Sequence, residues 1–173
     1  MQNFFELFNL PMQFDLDIVA LEAAYRNVQR LVHPDRFVTA SDAEKRAAVQ
    51  YASLANDAYQ TLRNPLKRAM HLCTLNGIAA GTEAHIQMDP AFLMEQMDWR
   101  EKLETAQDTG DSAGLLALAE EQASLRETFL KAVKADLDAH RFNEAVVGIN
   151  KLMFLERFDK ELHRALDGLE ARH

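Results

Sequence analysis

The sequence predicts an all-α chain built as two helical domains, on three observations. Only 6 Gly and 4 Pro occur among 173 residues, against many Ala, Leu, Glu and Gln, a mix that favours helix throughout. Apolar residues recur at intervals of three, four and seven rather than two. The prolines and half of the glycines fall where that periodicity stops.

Taken in order, Phe4, Phe5, Leu7 and Phe8 predict a short first helix that stops at Leu10-Pro11. Asp17 is the expected N-cap of a second helix, whose apolar residues Leu21, Tyr25, Val28 and Val32 recur at i, i+4, i+7 and i+11. Pro34 pushes His33 out of helical geometry and ends that helix. After a polar loop (36–40), Ser41 caps a third helix with Glu44 at the capping-box position. Its expected stripe is Tyr51, Leu54/Ala55, Ala58 and Leu62, so the second and third helices form an antiparallel pair. Asn64-Pro65 opens a short fourth helix over 66–75, with proline suited to the first position.

Asn76-Gly77 stops that helix, and the 76–88 stretch is the expected linker or hinge, dividing a domain at 1–75 from one at 89–173. Asp89-Pro90 reads as N-cap and first residue of a helix running to about residue 107. The run Asp108-Thr109-Gly110-Asp111 is a turn with a fresh N-cap. A long helix to about His140 and another from about Phe142 to Ala171 complete an antiparallel three-helix bundle.

Composition excludes several classes of function. The net charge of −8, from 27 acidic and 19 basic residues, disfavours a general nucleic-acid binder, which needs a basic surface. The single cysteine, Cys73, permits no internal disulfide and no Cys-x-x-Cys metal site, and no His-Glu-x-x-His pair replaces it. Cys73 sits in an apolar helical stretch and reads as core. No run of about eighteen apolar residues spans a membrane. Residues 1–10 carry Glu6 and no basic start, unlike a signal peptide. The expectation is a cytoplasmic protein without cofactor or metal.

The loop Arg30-Leu31-Val32-His33-Pro34-Asp35-Arg36-Phe37 concentrates the ionisable chemistry of the first domain. His33 and Asp35 have the makings of a base and its orienter, yet no nucleophile, phosphate loop or ligand set lies near them in sequence. The chain does not read as an enzyme. A solvated helix stop is the plain alternative. Against it, Arg26, Arg30 and His33 fall at i, i+4 and i+7, on one side of the second helix and away from its apolar stripe. A basic strip leading into an exposed turn is a contact surface for an acidic partner.

These features together resemble a J-domain. The matching residues are Phe4-Phe5-Glu6-Leu7-Phe8, Ala24-Tyr25-Arg26, Leu31 to Phe37 with His33-Pro34-Asp35 at its centre, and Asn56-Asp57-Ala58-Tyr59-Gln60-Thr61-Leu62-Arg63-Asn64-Pro65. The resemblance implies a co-chaperone that stimulates ATP hydrolysis by a DnaK-type chaperone, docking through Arg26, Arg30, His33, Pro34, Asp35 and Arg36. Where many J-domains carry several lysines on the second helix, this one offers only those arginines, which suggests a specialised chaperone partner or weaker electrostatic capture.

The second domain contains neither a Gly/Phe-rich segment nor zinc-binding repeats. In its first helix Phe92, Trp99 and Leu103 share a narrow arc, while Leu93, Met94 and Met97 lie roughly 100–200° around the axis, on the side of Glu101 and Glu104. That second apolar group is either a joint with the first domain or an acid-rimmed, Met-containing patch for a client. Phe154, off the stripe of Leu152, Leu155, Leu162 and Leu166, either extends the patch or caps the bundle edge.

The whole layout, with Phe92-Leu93-Met94-Glu95-Gln96-Met97 and Phe154-Leu155, is similar to the HscB family, J-type co-chaperones of iron–sulfur cluster assembly. Animal members add an N-terminal zinc-binding extension, so the likeness is to the bacterial type. It implies that the bundle binds the scaffold IscU through Leu93, Met94, Met97, Phe154 and Glu101 and delivers it to the chaperone HscA. A J-type co-chaperone with another client, or a helical adaptor with no chaperone link, are the competing readings.

Overall fold

A computed structural model describes residues 2–81 and 89–171. Among these the chain forms seven α-helices and one 3-10 turn and divides into two units, 1–78 and 79–173. Part of the expected linker, 82–88, lies outside the described residues.

The first unit comprises α1 (Phe4–Leu7), α2 (Ile18–Leu31), the 3-10 turn (Pro34–Phe37), α3 (Asp42–Arg63) and α4 (Pro65–Leu75). The starts are fixed by side chains that accept the otherwise orphaned N–H groups of each first turn. Asp17 accepts from Val19 and Ala20 at 2.9 and 3.1 Å. Ser41 and Glu44 form the full reciprocal box, and those hydrogen bonds hold the Glu44 carboxyl below its ordinary range. Asn64 ends α3 and caps α4 by accepting from Lys67, with Pro65 at the first helical position.

The contact line of α3 runs through the small buried residues Ala48 and Ala55 to Leu62, in steps of seven. Small residues let α2 lie close. Tyr51, expected in this stripe, is rotated about 40–60° off that line and stays 39% exposed. Tyr25 bridges the pair: its ring stacks on Tyr59 at 4.2 Å, and its hydroxyl donates to Asn56. Cys73 is fully buried, as its apolar surroundings predict, and burial pushes its thiol up to about 11.

Two buried polar groups hold the short segments against α4. Arg68 donates to the Leu62 carbonyl at 2.7 Å and lies over the Phe14 ring. His71 stacks on Phe4 with 4.5 Å between ring centres, and its Nε2 accepts the Phe4 N–H at 3.3 Å. Only an unprotonated Nε2 can accept, and burial lowers the His71 pKa.

The second unit contains α5 (Pro90–Thr109), α6 (Ser112–Asp138) and α7 (Phe142–Glu170). Asp89 caps α5 with Pro90 at its first position. The helix runs two residues past the expected end because Gly110 adopts φ 70° and closes it as a left-handed C-terminal residue. Asp111 then caps α6. The α6–α7 turn relies on His140 at φ 56°, and Arg141 there pairs with Asp136 at 2.7 Å. Phe92, Trp99 and Leu103 enter the core with Leu115, Leu118, Leu155, Phe158 and Leu162. Phe158 was not expected in the α7 stripe, and it is fully buried. Gly148 lies in the α6–α7 contact, where a Cβ would come within 2.5 Å of Val133 Cγ2.

Two outcomes follow from these contacts. In Gly148→Ala, better helix propensity contributes about 0.5–1 kcal/mol, while overpacking against buried Val133 costs about 1–3 kcal/mol. Thermal unfolding will show a net loss. For His71, the unfolded chain takes up a proton near the ordinary pKa of 6.5 and the folded chain takes it up at lower pH. The contribution is therefore intact above pH 6.5 and is lost as pH falls below it. Between pH 7.5 and 5.5 the parent will lose more stability than His71→Gln, whose amide can still accept from Phe4.

Candidate functional site

The first candidate surface is the end of α2 and the turn that follows. His33 leaves the helix at φ −59°, ψ 133°, as Pro34 requires, and Pro34 becomes the first residue of the 3-10 turn. The His33 carbonyl accepts from the Arg36 N–H at 2.9 Å, and its Nδ1 accepts from the Asp35 N–H at 3.3 Å. The histidine thus closes its own turn from both ends. The Asp35 carboxylate lies 3.6 Å from His33 Nδ1, with its side chain 87% exposed. The His33 side chain is likewise open to solvent, at 59%. Among the described residues no group of three or more His, Cys, Asp or Glu could hold a metal ion.

Arg26, Arg30 and His33 do share a face. Together with Ala23, Asn27 and Gln29 they line a shallow groove of about 490 Å³ along α2. Arg26 pairs with Glu22 at 3.7 Å, and Arg30 donates to Asn27. The strip is therefore less uniformly basic than the spacing of its cations implies. Arg36 does not line this groove; it lies exposed in the 3-10 turn.

The second candidate surface is the outer face of α5. Leu93, Met94 and Met97 are 46, 68 and 70% exposed, uncovered by the bundle that buries Phe92 and Trp99 beneath them. Glu101, one turn beyond Met97, is also exposed and lines a groove of about 580 Å³ between α5 and α6, with Asp98, Lys102, Asp111 and Glu121. An apolar patch therefore borders a mainly acidic groove.

Phe154 belongs to neither surface alone. It is half-buried, stacked with Phe158 at 5.9 Å and Trp99 at 6.1 Å, and edge-on to Phe92 at 5.8 Å. It packs into the aromatic cluster beneath α5 while staying partly exposed. Lys151 completes the same cluster, its ammonium 5.1 Å from the centre of the Phe92 ring. Sequence reasoning missed Glu121, which accepts the Trp99 indole N–H at 3.0 Å. A buried indole needs an acceptor, but periodicity cannot say which helix supplies it.

Residues 88–163 match a family profile described as the HSCB C-terminal oligomerisation domain. A co-chaperone protein HscB homolog from Burkholderia thailandensis is 48% identical over 166 residues, 96% of this chain and 95% of the relative. The chain belongs to the HscB family. Chaperone HscB from Vibrio cholerae matches with TM-score 0.86 at 40% identity, covering 97% of this chain and 99% of that one. Human co-chaperone protein HscB gives 0.87 at 29% identity, covering 94% and 81%. Family membership makes the first unit a J-domain and the chain a J-type co-chaperone. No helix among the described residues is long and apolar enough to cross a membrane.

The geometry separates packing beneath α5 from display on it. Phe154→Ala will lower thermal stability by about 2–4 kcal/mol, because the aromatic cluster loses its lid. Leu93→Ala and Met97→Ala, which remove exposed side chains, will each change it by about 0.5 kcal/mol or less. Chemical denaturation followed by circular dichroism measures the contrast.

Proposed function

We propose that this HscB-family chain is a two-ended adaptor of iron–sulfur cluster assembly, binding the scaffold IscU through its second unit and presenting it to the DnaK-type chaperone HscA through its J-domain. The observation that carries the reading is the His33-Pro34-Asp35 turn, exposed and internally hydrogen-bonded at the end of the Arg26–Arg30 face. On the other unit, Leu93, Met94 and Met97 offer an apolar contact, Glu101 a neighbouring charge, and Phe154 support from beneath.

The turn is suited to docking because its shape exists before the partner arrives. Pro34 fixes one dihedral, and His33 accepts the Asp35 N–H, so little loop entropy is lost on binding. Asp35, with its carboxylate in solvent, pairs with a cation of the chaperone, while Arg26, Arg30 and Arg36 face acidic groups. Docking shifts the chaperone toward its hydrolysis-competent state to the extent that this state binds the turn more tightly. Holding the scaffold on the second unit raises its effective concentration at the chaperone's peptide site. ATP is hydrolysed in the chaperone; this chain contributes binding energy and no reacting group.

The decisive measurement is single-turnover ATP hydrolysis by the chaperone, with and without scaffold. Asp35→Ala will abolish most of the stimulation while leaving helicity unchanged; stimulation equal to the parent's would overturn docking through this turn, and no stimulation by the parent would mean a helical adaptor with no chaperone link. The pair Leu93→Ala with Met97→Ala will weaken scaffold binding at least tenfold, on the order of 1.4 kcal/mol, and leave scaffold-free stimulation intact. If the parent stimulates the chaperone but does not bind the scaffold, it serves a different client.

A further inference from the structure

Helix α5 carries the exposed patch, and its rotation about its own axis decides where that patch faces. Its burial in the bundle rests on Phe92, Trp99, Leu103 and Ala106. Burial of that stripe sets which arc of α5 meets the bundle; within that arc apolar packing is non-directional and leaves the finer rotation to hydrogen bonds and ion pairs. Two carboxylates from the neighbouring helices supply the direction. Glu121 of α6 accepts the Trp99 Nε1–H with Oε1 at 3.0 Å and holds Lys102 Nζ with Oε2 at 3.5 Å. Glu161 of α7 holds Arg100 at 3.8 Å.

Trp99 and Arg100 are successive residues, about 100° apart around the helix, and are tied to different helices. Lys102 is one turn beyond Trp99 and shares its acceptor. Glu121 therefore grips two α5 residues at once. A rotation that relaxed one of these ties would strain the other.

We propose that Glu121 is a positioning residue for client recognition: its carboxylate, set between Trp99 and Lys102, holds the finer rotation at which α5 presents Leu93, Met94 and Met97. This rests on the reading of that face as the scaffold contact. Glu121 is a better candidate than Glu161 because one of its two bonds goes to the buried Trp99 ring, whereas Arg100–Glu161, like Lys102–Glu121, joins two solvent-accessible side chains. The indole also stacks on Phe154, so the hydrogen bond sets the orientation of the ring on which the aromatic cluster is built.

The test is scaffold binding by calorimetry for five full-length proteins: the parent, Glu121→Ala, Glu121→Gln, Val133→Ala, and the Leu93→Ala with Met97→Ala pair. Glu121→Ala will bind about three- to tenfold more weakly, the scale of one charge-assisted hydrogen bond partly transmitted. Glu121→Gln keeps an oxygen for the indole N–H and will recover most of that loss. The single tryptophan gives one indole N–H resonance, which will move in Glu121→Ala and stay near the parent position in Glu121→Gln. Val133→Ala destabilises the α6–α7 contact and will lower the melting temperature without changing affinity.

The proposal is overturned if Glu121→Ala binds as the parent does while the Leu93–Met97 pair is weakened. It is also overturned if Val133→Ala loses as much affinity as Glu121→Ala, since stability alone then accounts for the effect. Failure of Glu121→Gln to recover affinity would make the carboxylate a direct charge contact instead. If the Leu93–Met97 pair itself binds as the parent does, the reading of the face falls and this proposal with it.

Discussion

An α-helix at the edge of a three-helix bundle can bury only the arc its two neighbours cover, and on α5 that arc is filled by Phe92, Trp99, Leu103 and Ala106. Every other apolar residue on the helix must face solvent or a partner. Leu93, Met94 and Met97 are therefore exposed by geometry, not by a failure of folding. Exposing three large apolar side chains forgoes roughly 1.5–3 kcal/mol each relative to full burial. The second unit compensates with a dense aromatic core and with α6 and α7, helices of 27 and 29 residues. Stability is concentrated in the α6–α7 pair and display in α5.

The same division governs the first unit. The α2–α3 pair is held by small residues at its contact line and by Tyr25 and Tyr59 across it. The His33-Pro34-Asp35 turn contributes no buried residue. Its order comes instead from covalent restriction at Pro34 and from the hydrogen bonds made by His33. Such a turn can be rigid while lying wholly in water, which a docking element requires and a packed core cannot supply.

Helix starts were the most legible part of the sequence, since Asp17, Ser41 with Glu44, Asn64-Pro65 and Asp89-Pro90 each act through neighbours three or fewer residues away. The alignment of Arg26, Arg30 and His33 was legible for the same reason, being a property of one helix. What escaped is non-local. Which rings Phe154 meets depends on where Trp99 points. The buried His71 looked like any helical residue, because only the return of α1 reveals that its ring serves as an acceptor. The partial neutralisation of Arg26 by Glu22 could have been read from their i, i+4 spacing.

The distribution of chromophores has a practical consequence. The only tryptophan, Trp99, lies in the second unit, and all three tyrosines, Tyr25, Tyr51 and Tyr59, lie in the first. Excitation at wavelengths absorbed by indole alone reports on the bundle and is silent about the J-domain. Near-ultraviolet dichroism of the stacked Tyr25–Tyr59 pair reports on the α2–α3 packing. The two halves of the molecule thus carry separate optical labels, supplied by the native residues themselves.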